Sequence, residues 1–118
     1  MLNNVVLVGR LLSDPKIFET ETGKKVTSII LAVSRSFKNS NGDYETDFVR
    51  CVMWDGIATS TVEYCQKGNM VGIKGRLATR ETETDNPFTH SMEVIVEKIN
   101  FLTSNKEESE PKSTKKKD

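Results

Sequence analysis

The sequence predicts an all-β fold of five strands with one short helix between the third and fourth. Three observations lead there. Runs rich in Val, Ile and Thr recur between clusters of Gly, Asn, Asp, Ser and Pro. The clearest run alternates with period two, and apolar residues take helical spacing in one place, residues 57–65.

The first strand is Val5-Val6-Leu7-Val8, interrupted by Gly9 and ended by the turn chemistry of Ser13-Asp14-Pro15. The second follows the Thr22-Gly23 turn and runs from Val26 to Arg35, stopping before Asn39-Ser40-Asn41-Gly42, where Asn-Gly signals a hairpin. The third, Tyr44 to Trp54, pairs back against it. Ile57, Ala58, Thr61, Val62 and Cys65 then mark the helix, with Asp55 as N-cap, Lys67 in the last turn and Gly68 as the stop. Strands from Met70 to Thr82 and from His90 to Leu102 complete the set around an Asp85-Asn86-Pro87 turn.

Five strands with a single plugging helix is the layout of the OB-fold barrel, here with extended hairpin arms. A βαβ sheet would need more helices than this sequence supplies. Residues 1–102 read as the OB-fold domain. From Thr103 onward no apolar residue occurs, so 103–118 is expected to be a disordered charged tail.

The 118 residues include 17 basic and 17 acidic side chains, so bulk charge does not identify a nucleic-acid binder. Residues 1–102 hold 12 basic and 13 acidic groups, and the tail 5 and 4, so any such claim rests on where the cations point. About 100 residues bury roughly 60 to 70% of their unfolded surface, a modest core that oligomerisation would reinforce. No stretch approaches a membrane span or carries a leader's basic n-region, and the expected location is cytoplasmic, associated with the nucleoid or replication fork. Cys51 and Cys65 form no CxxC pair and cannot complete a zinc set with the lone His90; no metal and no cofactor is expected. With no GxSxG, HExxH or Walker loop and no nucleophile–base pair, an enzyme is not expected either; Cys51, the one candidate partner for His90, falls on the interior face.

Alternation divides the third strand into Tyr44, Thr46, Phe48, Arg50, Val52 and Trp54 on one face and Glu45, Asp47, Val49, Cys51 and Met53 on the other. Val49, Cys51 and Met53 suit a barrel interior. The opposite face mixes rings with a guanidinium, which suits bases stacked on aromatics and phosphates held between them. The alternative is that Phe48 and Trp54 are core and Arg50 an edge residue. In the fourth strand Gly72, Lys74, Arg76, Ala78, Arg80 and Thr82 share a parity, while Val71, Ile73 and Leu77 share the other; no acid interrupts the cation row before Glu81. Arg35, Phe37 and Lys38 form another cluster, but alternation aligns Phe37 with Ile29, Leu31 and Val33: either the strand leaves the barrel there or Phe37 is core. Gly9, Gly72 and Gly75 mark bulges or barrel corners, since no helix follows them to make a phosphate loop.

Asn3-Asn4-Val5-Val6-Leu7-Val8-Gly9-Arg10-Leu11, Asp14-Pro15, Phe48-Val49-Arg50-Cys51-Val52-Met53-Trp54, Glu63-Tyr64-Cys65-Gln66-Lys67-Gly68 and Gly75-Arg76-Leu77 together resemble the bacterial and phage single-stranded DNA-binding proteins. The resemblance covers 1–102 and implies an OB fold, a homotetramer, and sequence-independent binding of single-stranded DNA in replication, recombination and repair. By position it puts base-stacking aromatics at Phe37, Phe48 and Trp54, and phosphate contacts at Arg50, Arg76 and Arg80, which with the neighbouring cations gives Arg10, Arg35, Lys38, Arg50, Lys74, Arg76 and Arg80 as the backbone set. There are two departures. Thr82 stands where the family often has a further stacking aromatic. The sequence ends Lys115-Lys116-Lys117-Asp118, where cellular members carry an acidic tip with a terminal hydrophobic residue that recruits replication and repair proteins, so the resemblance leaves those proteins open as partners. A reading from another class keeps the barrel but makes it a protein-interaction module, such as a primosomal accessory factor.

Overall fold

The structure is a computed structural model that describes residues 1–80 and 91–103. Its elements are β1 (Val5–Leu11), β2 (Phe18–Glu19), β3 (Lys25–Lys38), β4 (Tyr44–Trp54), α1 (Asp55–Tyr64), β5 (Met70–Arg80) and β6 (Ser91–Phe101). The five expected strands are β1, β3, β4, β5 and β6. The two-residue β2, too short to leave a pattern, pairs with the start of β3 through Phe18 and Val26.

The sheet runs β1-β5-β6-β4-β3-β2, and a further pairing of β1 with β3 closes it into a five-stranded barrel. Closure uses Arg10 against Ala32 and Leu11 against Leu31. β4 and β6 meet in parallel at Cys51–Val94 and Val52–Ile95; the remaining ladders are antiparallel. Inward-pointing Leu11, Ile29, Leu31, Cys51, Met53, Val71, Ile73, Val94 and Val96 fill the core, and α1 adds Ala58. α1 packs against β3, β4 and β6, and Tyr64 and Phe101 pack ring to ring with centroids 5.7 Å apart.

Two glycines are demanded by close approach. A Cβ at Gly9 would stand 2.5 Å from the Ala32 carbonyl oxygen, where β1 crosses to β3. One at Gly75 would collide with the Ile95 carbonyl, at the register slip between Lys74 and Gly75 in the β5–β6 ladder. The reading as corner or bulge thus applies to Gly9 and Gly75, whereas at Gly72 a side chain would meet ordinary contact distances.

Several local expectations are corrected. Asp55 is the first residue of the helix and Trp54 its N-cap, without a side-chain capping bond. The Asp55 carboxylate instead accepts the Lys25 N–H at 3.4 Å. The helix ends at Tyr64 with Cys65 as its extended C-cap, so Lys67 and Gly68 belong to the following turn. There Gly68 takes φ +90° and donates to the Leu11 carbonyl at 2.9 Å, while the Lys67 N–H donates to the Asp14 carboxylate at 2.7 Å. Leu77, assigned the parity of the core, is exposed; it lies past Gly75, the last residue of β5 that pairs with β1. Thr82, the Asp85-Asn86-Pro87 turn, His90 and residues 104–118 lie outside the described residues.

Candidate nucleic-acid interface

β4 carries the centre of the site. Its even-numbered side chains point away from the core that Cys51 and Met53 enter, and Phe48, opposite Ala32 of β3, is 64% exposed. Trp54, opposite Val26 at the end of the strand, is 39% exposed and borders a shallow hollow with Thr20, Thr22 and Lys24. Its setting is fixed by the corner after it, where Asp55 turns through a left-handed φ of +52°, a conformation Asp tolerates better than most residues. Val52 shares this parity yet is buried, so the face is not uniformly open. On the opposite side of β4 the Cys51 thiol is sealed in the core, and burial pushes its pKa up to about 12, leaving it protonated and unreactive near neutrality.

Phe37 is 79% exposed, which resolves its ambiguous parity. The β3–β4 ladder slips between Ser34 and Lys38, and beyond the slip the two strands form an arm projecting from the barrel. Arg35 stands at the base of this arm. Its guanidinium donates to the Asp47 carboxylate at 2.8 Å and to Glu45 at 2.9 Å. The Asp47 hydrogen bond holds the Arg35 pKa above its ordinary value, and the same bond holds Asp47 below its own. Lys38 lies across the last ladder pair from Tyr44, its ammonium 5.6 Å from the ring centroid.

The cations of β5 are exposed, but the neighbouring strand brings acids to them. Glu97 of β6 lies 3.6 Å from the Lys74 ammonium and 3.9 Å from Arg76. Glu93, its side chain only 13% exposed, sits 3.3 Å from Arg50 and 3.8 Å from Arg80. The structure thereby joins Arg50 and Arg80 around one carboxylate and Lys74 and Arg76 around another, on a surface continuous from β4 across β6 to β5. Arg10 is apart from this group, beside Met70 at the far end of β5, with its guanidinium donating to the Gly68 carbonyl at 3.1 Å.

Sequence reasoning missed Glu93 and Glu97. Their signal was present: four residues apart on a strand, they share a face. That face meets Arg76 and Arg80 only in the register set by the slip at Gly75.

The described residues contain no group of three or more potential metal ligands and no helix long and apolar enough to cross a membrane. Comparison with known proteins gives consistent relatives. Single-stranded DNA-binding protein B of Bacillus subtilis (strain 168) is 43% identical over 103 residues, spanning 86% of this chain and 91% of that one. The single-stranded DNA-binding protein of Enterococcus faecalis is 43% identical over 105 residues, covering 88% of this chain but 56% of its own length. Among solved structures, the wild-type single-stranded DNA binding protein of Thermus aquaticus superposes with a TM-score of 0.73 at 26% identity, over 86% of this chain and 50% of that one. The chain therefore spans about half to nine-tenths of the proteins it is similar to. The family model described as the single-strand binding protein family matches residues 2–102, and through that match, the relatives and the shared barrel the chain belongs to that family.

Proposed function

We propose that this chain binds single-stranded DNA without sequence preference, stacking bases on Phe37, Phe48 and Trp54 and holding the backbone with Lys38, Arg50, Lys74, Arg76 and Arg80. Arg35 and Arg10 contribute less, because the first is engaged by Asp47 and Glu45 and the second by the Gly68 carbonyl. The observation that carries the reading is Phe48: a phenylalanine 64% exposed in mid-strand, two residues from Arg50, on a face of β4 that has no acid. A ring left largely in water at that position contributes little to folding, while a base stacked on it gains about 1 to 3 kcal/mol.

No step of chemistry is involved; the protein is a coat that keeps the strand extended, in replication, recombination and repair. Residues 1–102 form the binding domain. It assembles as a homotetramer, supported by exposed Val6 and Val8 on β1, an apolar strip whose covering would offset the limited core. It works in the cytoplasm at the nucleoid or replication fork.

The test is a mobility-shift titration with single-stranded oligonucleotides of unrelated sequence and with duplex of equal length. Comparable binding to every single strand and little to duplex is expected; preference for duplex or for one sequence would reject the reading.

A further inference from the structure

We propose that Tyr44 and Lys38, at the outer end of the β3–β4 arm, form an additional nucleotide platform that extends the binding track beyond Phe48. The inference rests on the single-strand reading above and adds a site to it.

Tyr44 lies four residues before Phe48 and ten before Trp54, so all three rings share one face of β4. It is 58% exposed, close to Phe48 and more than Trp54. Lys38 sits 5.6 Å from the ring centroid. A cation at one side of a ring leaves the other side free for a base, and the same ammonium is positioned for the phosphate of the nucleotide stacked there.

The arm is built to present this pair. Asn39 donates its N–H to the Asp43 carbonyl at 2.8 Å, and its side-chain oxygen accepts the N–H groups of Asn41 and Asp43 at 2.9 and 3.0 Å. Gly42 supplies the left-handed residue of the turn at φ +84°. Charge is segregated across the strand. Glu45 and Asp47 fall on the other parity, where Arg35 grips both, so no acid of β4 competes on the face of Tyr44.

Four strand residues span roughly 13 Å, about the length of four nucleotides at a stacked rise and fewer when the strand is extended. The platform should therefore lengthen the occluded site by roughly two to four nucleotides per subunit.

The experiment compares Tyr44→Ala, Tyr44→Leu and Tyr44→Phe in the full chain, titrated with oligo-dT of increasing length, with Phe48→Ala and thermal melting alongside. Losing one stacked base predicts roughly five- to hundredfold weaker binding of long oligomers for Tyr44→Ala and Tyr44→Leu, a shorter occluded site, and parental behaviour for Tyr44→Phe. Melting checks that the variants remain folded. If Tyr44→Ala and Tyr44→Leu bind like the parent while Phe48→Ala is weakened, the platform is refuted and the broader reading stands. If the parent itself binds no oligo-dT, the broader reading fails and the platform with it.

Discussion

Replacing Phe48 by Ala removes a ring that does little for folding and, on this account, much for binding. Phe48 is 64% exposed, so only about a third of its roughly 200 Å² is buried, worth at most about 2 kcal/mol of stability at ~25 cal/mol per Å². The stacked base it loses is worth about 1 to 3 kcal/mol, or roughly fivefold to a hundredfold in affinity per engaged subunit. No charge changes, so the log–log dependence of affinity on salt, about −0.7 per phosphate neutralised, should keep its slope while the whole line drops. Fluorescence anisotropy of a labelled oligo-dT at four salt concentrations measures both quantities, and sedimentation gives the mass. Weaker binding at unchanged slope and mass is expected. Unchanged affinity, or a variant that falls to a smaller assembly, would refute the reasoning and favour a protein-interaction surface at this face.

Three other consequences follow. Glu93→Gln should release Arg50 and Arg80 from their shared carboxylate, tightening single-strand binding and steepening its salt dependence; weaker binding in the same anisotropy titration would mean that Glu93 positions the two arginines. Gly9→Ala should destabilise the barrel by about 1 to 3 kcal/mol in a denaturant melt, because the added Cβ meets the Ala32 carbonyl oxygen at 2.5 Å; a neutral result would show that β1 can move away from β3. Burial raises the folded Cys51 thiol from its ordinary 9.0 to about 12, so its neutral form is favoured by folding. That contribution is full below pH 9 and is lost as pH rises toward 12, so stability should fall in that window and fall less steeply in Cys51→Ala.

What could be read from the sequence depended on whether one strand held the information. β4 announced both of its faces, since Cys51 and Met53 alternate with Phe48, Arg50 and Trp54 along a regular strand, and its ends at Tyr44 and Trp54 coincide with those in the structure. Phe37 could not be settled in that way. Alternation gives parity but not the point at which a strand leaves the barrel, and β3 does so at a slip between Ser34 and Lys38. Leu77 misled because parity does not show where one of a strand's two ladders stops, and the ladder of β5 with β1 ends at Gly75. The carboxylates facing the cation row were hidden more deeply, because their pairing depends on a register between two strands that a one-residue slip at Gly75 resets. Asp55 was misread as a cap because its carboxylate is used by the Lys25 N–H, a partner thirty residues away.

The most direct test of the central claim is the fluorescence of Trp54, the only tryptophan in the chain, during titration with oligo-dT and with duplex of the same length at two salt concentrations. Quenching by the single strand, weakened at high salt and absent with duplex, is the predicted result, because a base would stack on a ring now 39% exposed at the edge of β4. An emission that ignores single-stranded DNA, while mobility shift shows the strand bound, would put the bases elsewhere and contradict the site assigned to this face.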